Sequence, residues 1–152
     1  MRITKLSENG LNLLKQFEKF EPKPYLDTGK VPTIGYGTTY YPDGTRVRMT
    51  DKEITEEEAT KYMLANLVHY EQAVDSFTRD DINQNQFDAL VSFAYNIGTQ
   101  SLKRSTLLKK VNADPNYPTI ANEFRKWIYD NGRKIQGLLN RREKEIKLYY
   151  GL

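Results

Sequence analysis

The 152-residue sequence contains no cysteine, one histidine and one tryptophan. Without cysteine there is no disulfide framework and no thiolate-bound zinc. The single histidine, His69, cannot build a His-rich metal site and leaves a Ser–His–Asp arrangement no alternative base. It reads as a surface or half-buried helix residue, and neither metal nor cofactor is expected. No window approaches the ~18 successive apolar residues of a membrane span, so stable membrane insertion is not expected. The first twenty residues, MRITKLSENGLNLLKQFEKF, lack the apolar core of a secretory leader. The expectation is synthesis in a cytoplasm, with release by some other agent if the protein acts elsewhere. Dense basic runs are also missing. The formal net charge of +3 is a mild bias toward anionic partners, and cations alternate with acids except around Arg141, Arg142 and Lys144. A nucleic-acid-binding face would be denser, and no nucleic-acid partner is expected.

What is present suits a soluble globular chain: 38% hydrophobic and 28% charged residues, and a length typical of one compact domain, here expected as a monomer. Ser7 is a candidate N-cap for a first helix with an apolar stripe at Leu11, Leu14 and Phe17, which Pro22 and Pro24 would stop. From Pro24 to Met49 the runs PYLD, VPTIGYGTTYY and TRVRM alternate with DTGK and PDGT, where glycine can take positive φ. This predicts a small antiparallel sheet. A long helix follows, with Thr55 and Glu58 as a capping box. A second, mostly buried helix covers INQNQFDALVSFAYNIG and ends at Gly98. STLLKKVN, PTIANEFRKWIY and LNRREKEIKLYY predict three more, with loops at 112–118 and 129–136. The fold class is α+β. A small N-terminal sheet lobe (about 20–54) is joined by the long helix to a mainly helical lobe (about 78–152 plus the N-terminal helix).

Glu18, Asp27 and Thr33 lie in and around the turn-rich segment FEKFEPKPYLDTGKVPTIGYGTTYYPDG. A carboxylic acid at a helix end, a carboxylate on a sheet loop and a hydroxyl on the next strand suit glycoside hydrolysis. That reaction needs an acid for the leaving oxygen and a second carboxylate as base or nucleophile. Each residue also has a plain reading. Glu18 sits among Lys15, Lys19, Glu21 and Lys23 as on any solvated helix end. Asp27 suits a turn, and Thr33 suits a strand. Chemistry alone leaves both readings open.

The spacing resembles that of the phage-type lysozymes, the endolysin muramidases of glycoside hydrolase family 24. Their signature is a glutamate, eight residues, an aspartate, five residues and a threonine, which Glu18, Asp27 and Thr33 match. Thr33 opens TIGYG, and PYLD is similar to the family's tyrosine-x-aspartate, although Tyr25 and Tyr36 themselves read as packing residues. FDALVSFAYNIG, STLLKKVN, FRKWIY, GLLNRREKEIKLY and ITEEEATKYMLANLV resemble successive family segments, so the likeness covers nearly the whole chain, as a single phage-type lysozyme domain over 1–152. One departure stands out: Thr38 occupies the place of the family's usual histidine. The resemblance implies a lysozyme-like fold and hydrolysis of the β-1,4 bond between N-acetylmuramic acid and N-acetylglucosamine in peptidoglycan glycan strands. It implies Glu18 as general acid, Asp27 as the group that activates water, Thr33 as the residue that positions it, and inversion at the sugar. Arg141 would pair with Glu18, and Ser105 would face the cleft. The flat rings of Tyr95 and Trp127 suit a sugar-binding wall by their own chemistry, and Trp127 reads equally well as core. The resemblance also implies action on the wall, and without a secretory leader the expected route there is holin-type release. Two other classes remain in view. A wall-binding or immunity-like module without turnover would fail to clear a wall suspension, and a DNA-binding helical domain would show a salt-dependent shift with DNA.

Overall fold

The computed structural model describes residues 2–152. The chain divides into two compact units. One is Asn12–His69, and the other joins the residues up to Leu11 with Tyr70–Leu152.

Helix α1 (Glu8–Glu18), which lies in the 12–69 unit from Asn12 onward, leads into a two-stranded sheet. The helix ends sooner than the prolines would require: Lys19 takes φ 53, a left-handed C-terminal cap, and donates its N–H to Lys15 O. Strand β1 (Glu21–Leu26) therefore begins before Pro22 and includes both prolines. It pairs antiparallel with β2 (Pro32–Gly35) in the register Glu21↔Gly35, Tyr25↔Thr33 and Leu26↔Pro32, with an irregularity between Glu21 and Tyr25. Pro22 and Pro24 have no N–H to give a ladder, so the break falls where they stand. The third β-prone run, TRVRM, forms no strand. It contributes the isolated bridge Tyr40↔Arg46, and Val47 N–H donates to Thr39 O. Helix α2 (Glu56–Phe77) starts at the expected capping box: Glu58 N–H donates to Thr55 Oγ1, and Thr55 N–H donates to Glu58 Oε1. Leu14, Ile34, Ala59, Met63 and Leu67 are fully or almost fully buried within this unit.

The other unit is built around α3 (Gln84–Ile97), which is capped by a reciprocal Asn83–Gln86 box and ends at Gly98 with φ 94. Phe87, Leu90, Val91, Phe93 and Ala94 are buried along it. Ser7 caps α1 by accepting Gly10 N–H, and its hydroxyl and backbone N–H both donate to the buried Asp88 carboxylate. Three short helices follow: α4 (Thr99–Arg104), α5 (Thr106–Ala113) and α6 (Ile120–Arg125). The first of these was not visible as a separate helix in the sequence. Helix α6 stops well short of Tyr129, so the expected helix over PTIANEFRKWIY is shorter. The expected loop at 129–136 contains a minimal hairpin, β3 (Tyr129–Asp130) and β4 (Arg133–Lys134). Asn131 and Gly132, with φ 50 and 77, supply the left-handed pair that a two-residue hairpin turn needs. Helix α7 (Gln136–Tyr149) packs on α3. No helix among the described residues is long and apolar enough to cross a membrane.

Gly35 holds the end of β2 at φ +67, and an added Cβ would lie 3.0 Å from Ala59 Cβ and 3.3 Å from Ile54 Cδ1. Gly44 is also left-handed, at φ +89, but nothing lies within 4 Å of its missing Cβ. Gly44→Ala should lose only the backbone preference. Gly35→Ala meets that strain of about 1–3 kcal/mol plus a steric conflict with α2. Urea denaturation should rank Gly35→Ala below Gly44→Ala. Equal stabilities would mean that the approach to Ala59 relaxes without cost.

Candidate active site

All three signature residues belong to the 12–69 unit. Glu18 is the last residue of α1 and is half-buried. Asp27 begins the connection between β1 and β2. Lys30 N–H donates to Asp27 O (2.9 Å) and Asp27 N–H to Val31 O (3.1 Å), which closes the loop. The left-handed position falls on Lys30, φ 62, and not on Gly29 as the DTGK pattern suggested. The Asp27 side chain is part of the same turn. Its Oδ1 accepts the N–H groups of Gly29 (2.8 Å) and Val31 (2.9 Å). Its Oδ2 accepts no hydrogen bond from the described residues. One carboxylate oxygen is therefore spent on the turn, and the other is not.

Thr33 is buried in β2 and donates its hydroxyl proton to Val31 O at 2.8 Å. That bond fixes the rotor. With the proton committed, the hydroxyl oxygen can face a further partner only as an acceptor. Thr33 pairs across the sheet with Tyr25, and paired residues point to the same face. Burial pushes the Tyr25 phenol above its ordinary pKa, and the charges of Glu18, Glu21 and Asp27 push it further. Tyr25 thus lies within electrostatic reach of both catalytic candidates, while its strand partner is the third. The sequence read Tyr25 as packing. The signal that marked it was its place two residues before Asp27 in PYLD. Thr38 is fully buried; its backbone pairs with Ile34, and its hydroxyl has no partner among the described residues.

The supporting candidates all lie in the other unit. Arg141 is buried; its Nε donates to Glu145 Oε2 at 3.2 Å and its guanidinium to Ser92 O at 2.8 Å. Glu145, 0% exposed, also accepts the Ser92 hydroxyl at 2.6 Å and faces Arg142 Nε at 3.3 Å. Burial pushes the Glu145 carboxyl up, against the opposing pull of Arg142, Arg141 and Ser92. Burial also brings Arg142 down to about 10, with Glu145 acting the other way. Arg142 stacks over Phe93 with its guanidinium carbon 4.9 Å from the ring centroid. Trp127 meets Phe93 edge-on at 5.7 Å and stays half-exposed, and Tyr95 packs at 5.0 Å from Tyr70. Ser105 is the N-cap of α5. Its hydroxyl donates to Leu102 O and accepts Leu108 N–H, so both of its roles are spent on the helix.

A sequence profile described as Phage lysozyme matches residues 15–145. The endolysin of Bacillus phage B103 is 43% identical over 146 residues, which is 95% of this chain and 53% of that protein. The chain thus spans about half the length of this relative. The structure of an endolysin from Escherichia coli O157:H7 phage FAHEc1 superposes with a TM-score of 0.88 at 38% identity, covering 98% of this chain and 96% of that one. The muramidase domain of SpmX from Asticaccaulis excentricus superposes at 0.81 and 31% identity, covering 97% and 98%.

The two roles of Asp27 can be separated. Asn keeps an oxygen for the Gly29 and Val31 N–H groups, while Ala leaves both unmet. Asp27→Ala should cost about 1.5–3 kcal/mol of stability, the range for losing a hydrogen bond to a charged group, and Asp27→Asn clearly less. Chemical denaturation of the two variants measures this. Equal losses would show that the turn does not depend on the side-chain oxygen.

Proposed function

The chain belongs to the phage lysozyme family, and we propose that it is a muramidase that cleaves the β-1,4 bond between N-acetylmuramic acid and N-acetylglucosamine in peptidoglycan. The observation that carries this reading is the division of labour at the hairpin. Asp27 spends Oδ1 on its own turn and keeps Oδ2, and Thr33 spends its proton on Val31 and keeps an acceptor. A water that donates one hydrogen to Asp27 Oδ2 and the other to Thr33 Oγ1 has its lone pair free for the anomeric carbon. Asp27 takes the water's proton as the new C–O bond forms, and it stabilises positive charge developing on the sugar. Glu18 gives its proton to the departing glycosidic oxygen. The muramidase relative supports the choice of bond.

Arg141 is the proposed support of Glu18, a role the family resemblance implies. Its burial with Ser92 and Glu145 holds the guanidinium in one orientation. Tyr95 and Trp127 are proposed sugar contacts through their ring faces. Ser105, with its hydroxyl occupied, would contribute shape alone. The proposed partner is the glycan strand of the wall, met by a monomer after holin-type release. As proposed domain limits, the whole of 1–152 forms one catalytic domain with a sheet lobe and a helical lobe.

Glu18→Gln keeps the shape and removes the proton. Lysis of purified walls should fall by ~100- to 10,000-fold, the usual contribution of a general acid, with folding unchanged by circular dichroism. A rate near wild type would reject Glu18 and turn attention to Glu21.

The same assignment fixes the stereochemistry. A direct carboxylate nucleophile has little use for the Thr33 acceptor, whereas an interposed water needs one. Inverting enzymes leave room for that water between carboxyls ~6.5–9.5 Å apart. The first product from the β-linked substrate should be the α-anomer, seen by proton NMR before mutarotation. Early β-anomer, or a glycosyl ester trapped on Asp27, would overturn the water-mediated route.

A further inference from the structure

The loop YYPDGTRV is not explained by the hairpin chemistry. It is rigidly built. Gly44 N–H donates to Tyr41 O and Tyr41 N–H to Thr45 O, which closes a turn with Pro42 at its first corner. Asp43 accepts both the N–H (2.9 Å) and the hydroxyl (2.7 Å) of Thr45. Tyr41 donates its hydroxyl to Asp51 Oδ2 at 2.7 Å, and the same oxygen accepts Arg48 N–H at 2.9 Å. Tyr41 also meets Tyr62 of α2 edge-on, with centroids 5.4 Å apart. Held this way, the loop and α2 border an open pocket of about 230 Å³ lined by Tyr40, Tyr41, Pro42, Tyr62, Ala65 and Asn66. Tyr40 is 54% exposed, although the guanidinium of Arg46 lies 5.6 Å from its ring centroid. None of these residues belongs to the catalytic set.

The unspent groups define the ligand. Among the described residues, the hydroxyls of Tyr40 and Tyr62 and the amide of Asn66 have no protein partner. The lining therefore offers ring faces, a proline and uncharged groups that both donate and accept. An ion would want opposite charge, and a purely apolar ligand would leave the phenols and amide unpaired. A pyranose fits both features. Its C–H face carries partial positive charge toward the negative face of an aromatic ring, and its hydroxyl and acetamido groups match neutral donors and acceptors. A second, shallower depression of about 380 Å³ shares Tyr41, Pro42 and Tyr62 and adds Asp43 and Lys61. Two adjoining hollows with a common wall suit successive rings of a polymer.

We propose that the Tyr40–Tyr41–Tyr62 pocket is an accessory glycan-binding site for a β-linked N-acetylhexosamine strand, separate from the residues that cleave it. The identification of that strand as wall glycan rests on the muramidase reading. The site would hold a strand to the enzyme between cleavage events and raise its local concentration at the hairpin.

The test uses the full chain carrying Glu18→Gln, so that the probe stays intact, and N-acetylchitotetraose followed by amide NMR. Shifts are expected at residues 39–46 and 61–66. Tyr40→Ala, which removes an exposed ring, should weaken them about tenfold, as loss of a well-stacked aromatic contact does. Asn66→Ala, at an exposed helical position, should weaken them about fivefold, the value of one neutral hydrogen bond. Shifts confined to the surroundings of Asp27 and Thr33, no shifts at all, or affinity unchanged in both variants would each overturn the site. Wall lysis by the wild-type chain is a separate readout. If it failed while these shifts appeared, the muramidase reading would fall and the sugar site would stand.

Discussion

The hydrogen bonds from Gly29 and Val31 to a single oxygen of Asp27 are the constraint on which both the shape of the 12–69 unit and the proposed chemistry depend. They finish the turn between β1 and β2, and they also set the direction of the carboxylate. A two-stranded sheet with two prolines in one strand has few ladder bonds of its own. The turn must therefore fix the register, and it does so with a side chain whose other oxygen stays open. The Thr33 hydroxyl, tied to Val31 O, repeats the arrangement two residues further along. Val31 thus serves both residues, through its N–H and through its carbonyl.

The other unit meets the opposite problem. Glu145, Arg142 and Arg141 are almost wholly out of water on one face of α7. Such a cluster persists only if the charges face one another, and here that attraction must also offset Arg142 Nη1, which is buried without a hydrogen-bond partner among the described residues. Ser92 supplies a hydroxyl to Glu145 and a carbonyl to Arg141, Asn96 receives Arg142, and Phe93 gives Arg142 a ring face. Ser92, Phe93 and Asn96 all come from α3. The α3–α7 pairing is therefore specified by polar complementarity as well as by the apolar face of α3. Removing Glu145 would leave two buried guanidiniums without their anion.

Much of this was legible from residue pattern. The Thr55–Glu58 box, the Ser7 cap and the Gly98 terminus are local chemistry, and local chemistry reads directly from sequence. The spacing of Glu18, Asp27 and Thr33 pointed to the family, while their individual residue types did not. What escaped was decided by context. TRVRM has the composition of a strand but no long partner to pair with. Lys30 took the left-handed position that Gly29 was expected to fill, because closing the Asp27–Val31 loop places that dihedral one residue later. Asn131-Gly132 carried a hairpin signal, but the flanking runs were too short to read as strands. The engagement of Ser105 with α5 could not be seen until the helix boundary was known. Tyr25 looked like packing because its importance lies in what faces it across the sheet.

The same accounting of spent and unspent hydrogen-bonding groups separates scaffold from function within the 12–69 unit. Asp43, Asp51 and the Tyr41 hydroxyl are committed to the loop, and burial together with Asp51 holds the Tyr41 phenol well above its ordinary pKa. Thr38 is the exception that sharpens the rule. Its hydroxyl has no partner among the described residues but is fully buried, so no ligand reaches it, and its backbone bonds to Ile34 are what it contributes. An unmet polar group marks function only where a partner can arrive. Asp27 Oδ2, on a half-buried turn residue, and the Tyr40 and Asn66 groups, on exposed residues, meet that condition. A glycan chain, with hydroxyls along its edges and C–H faces between them, can satisfy acceptor and ring together.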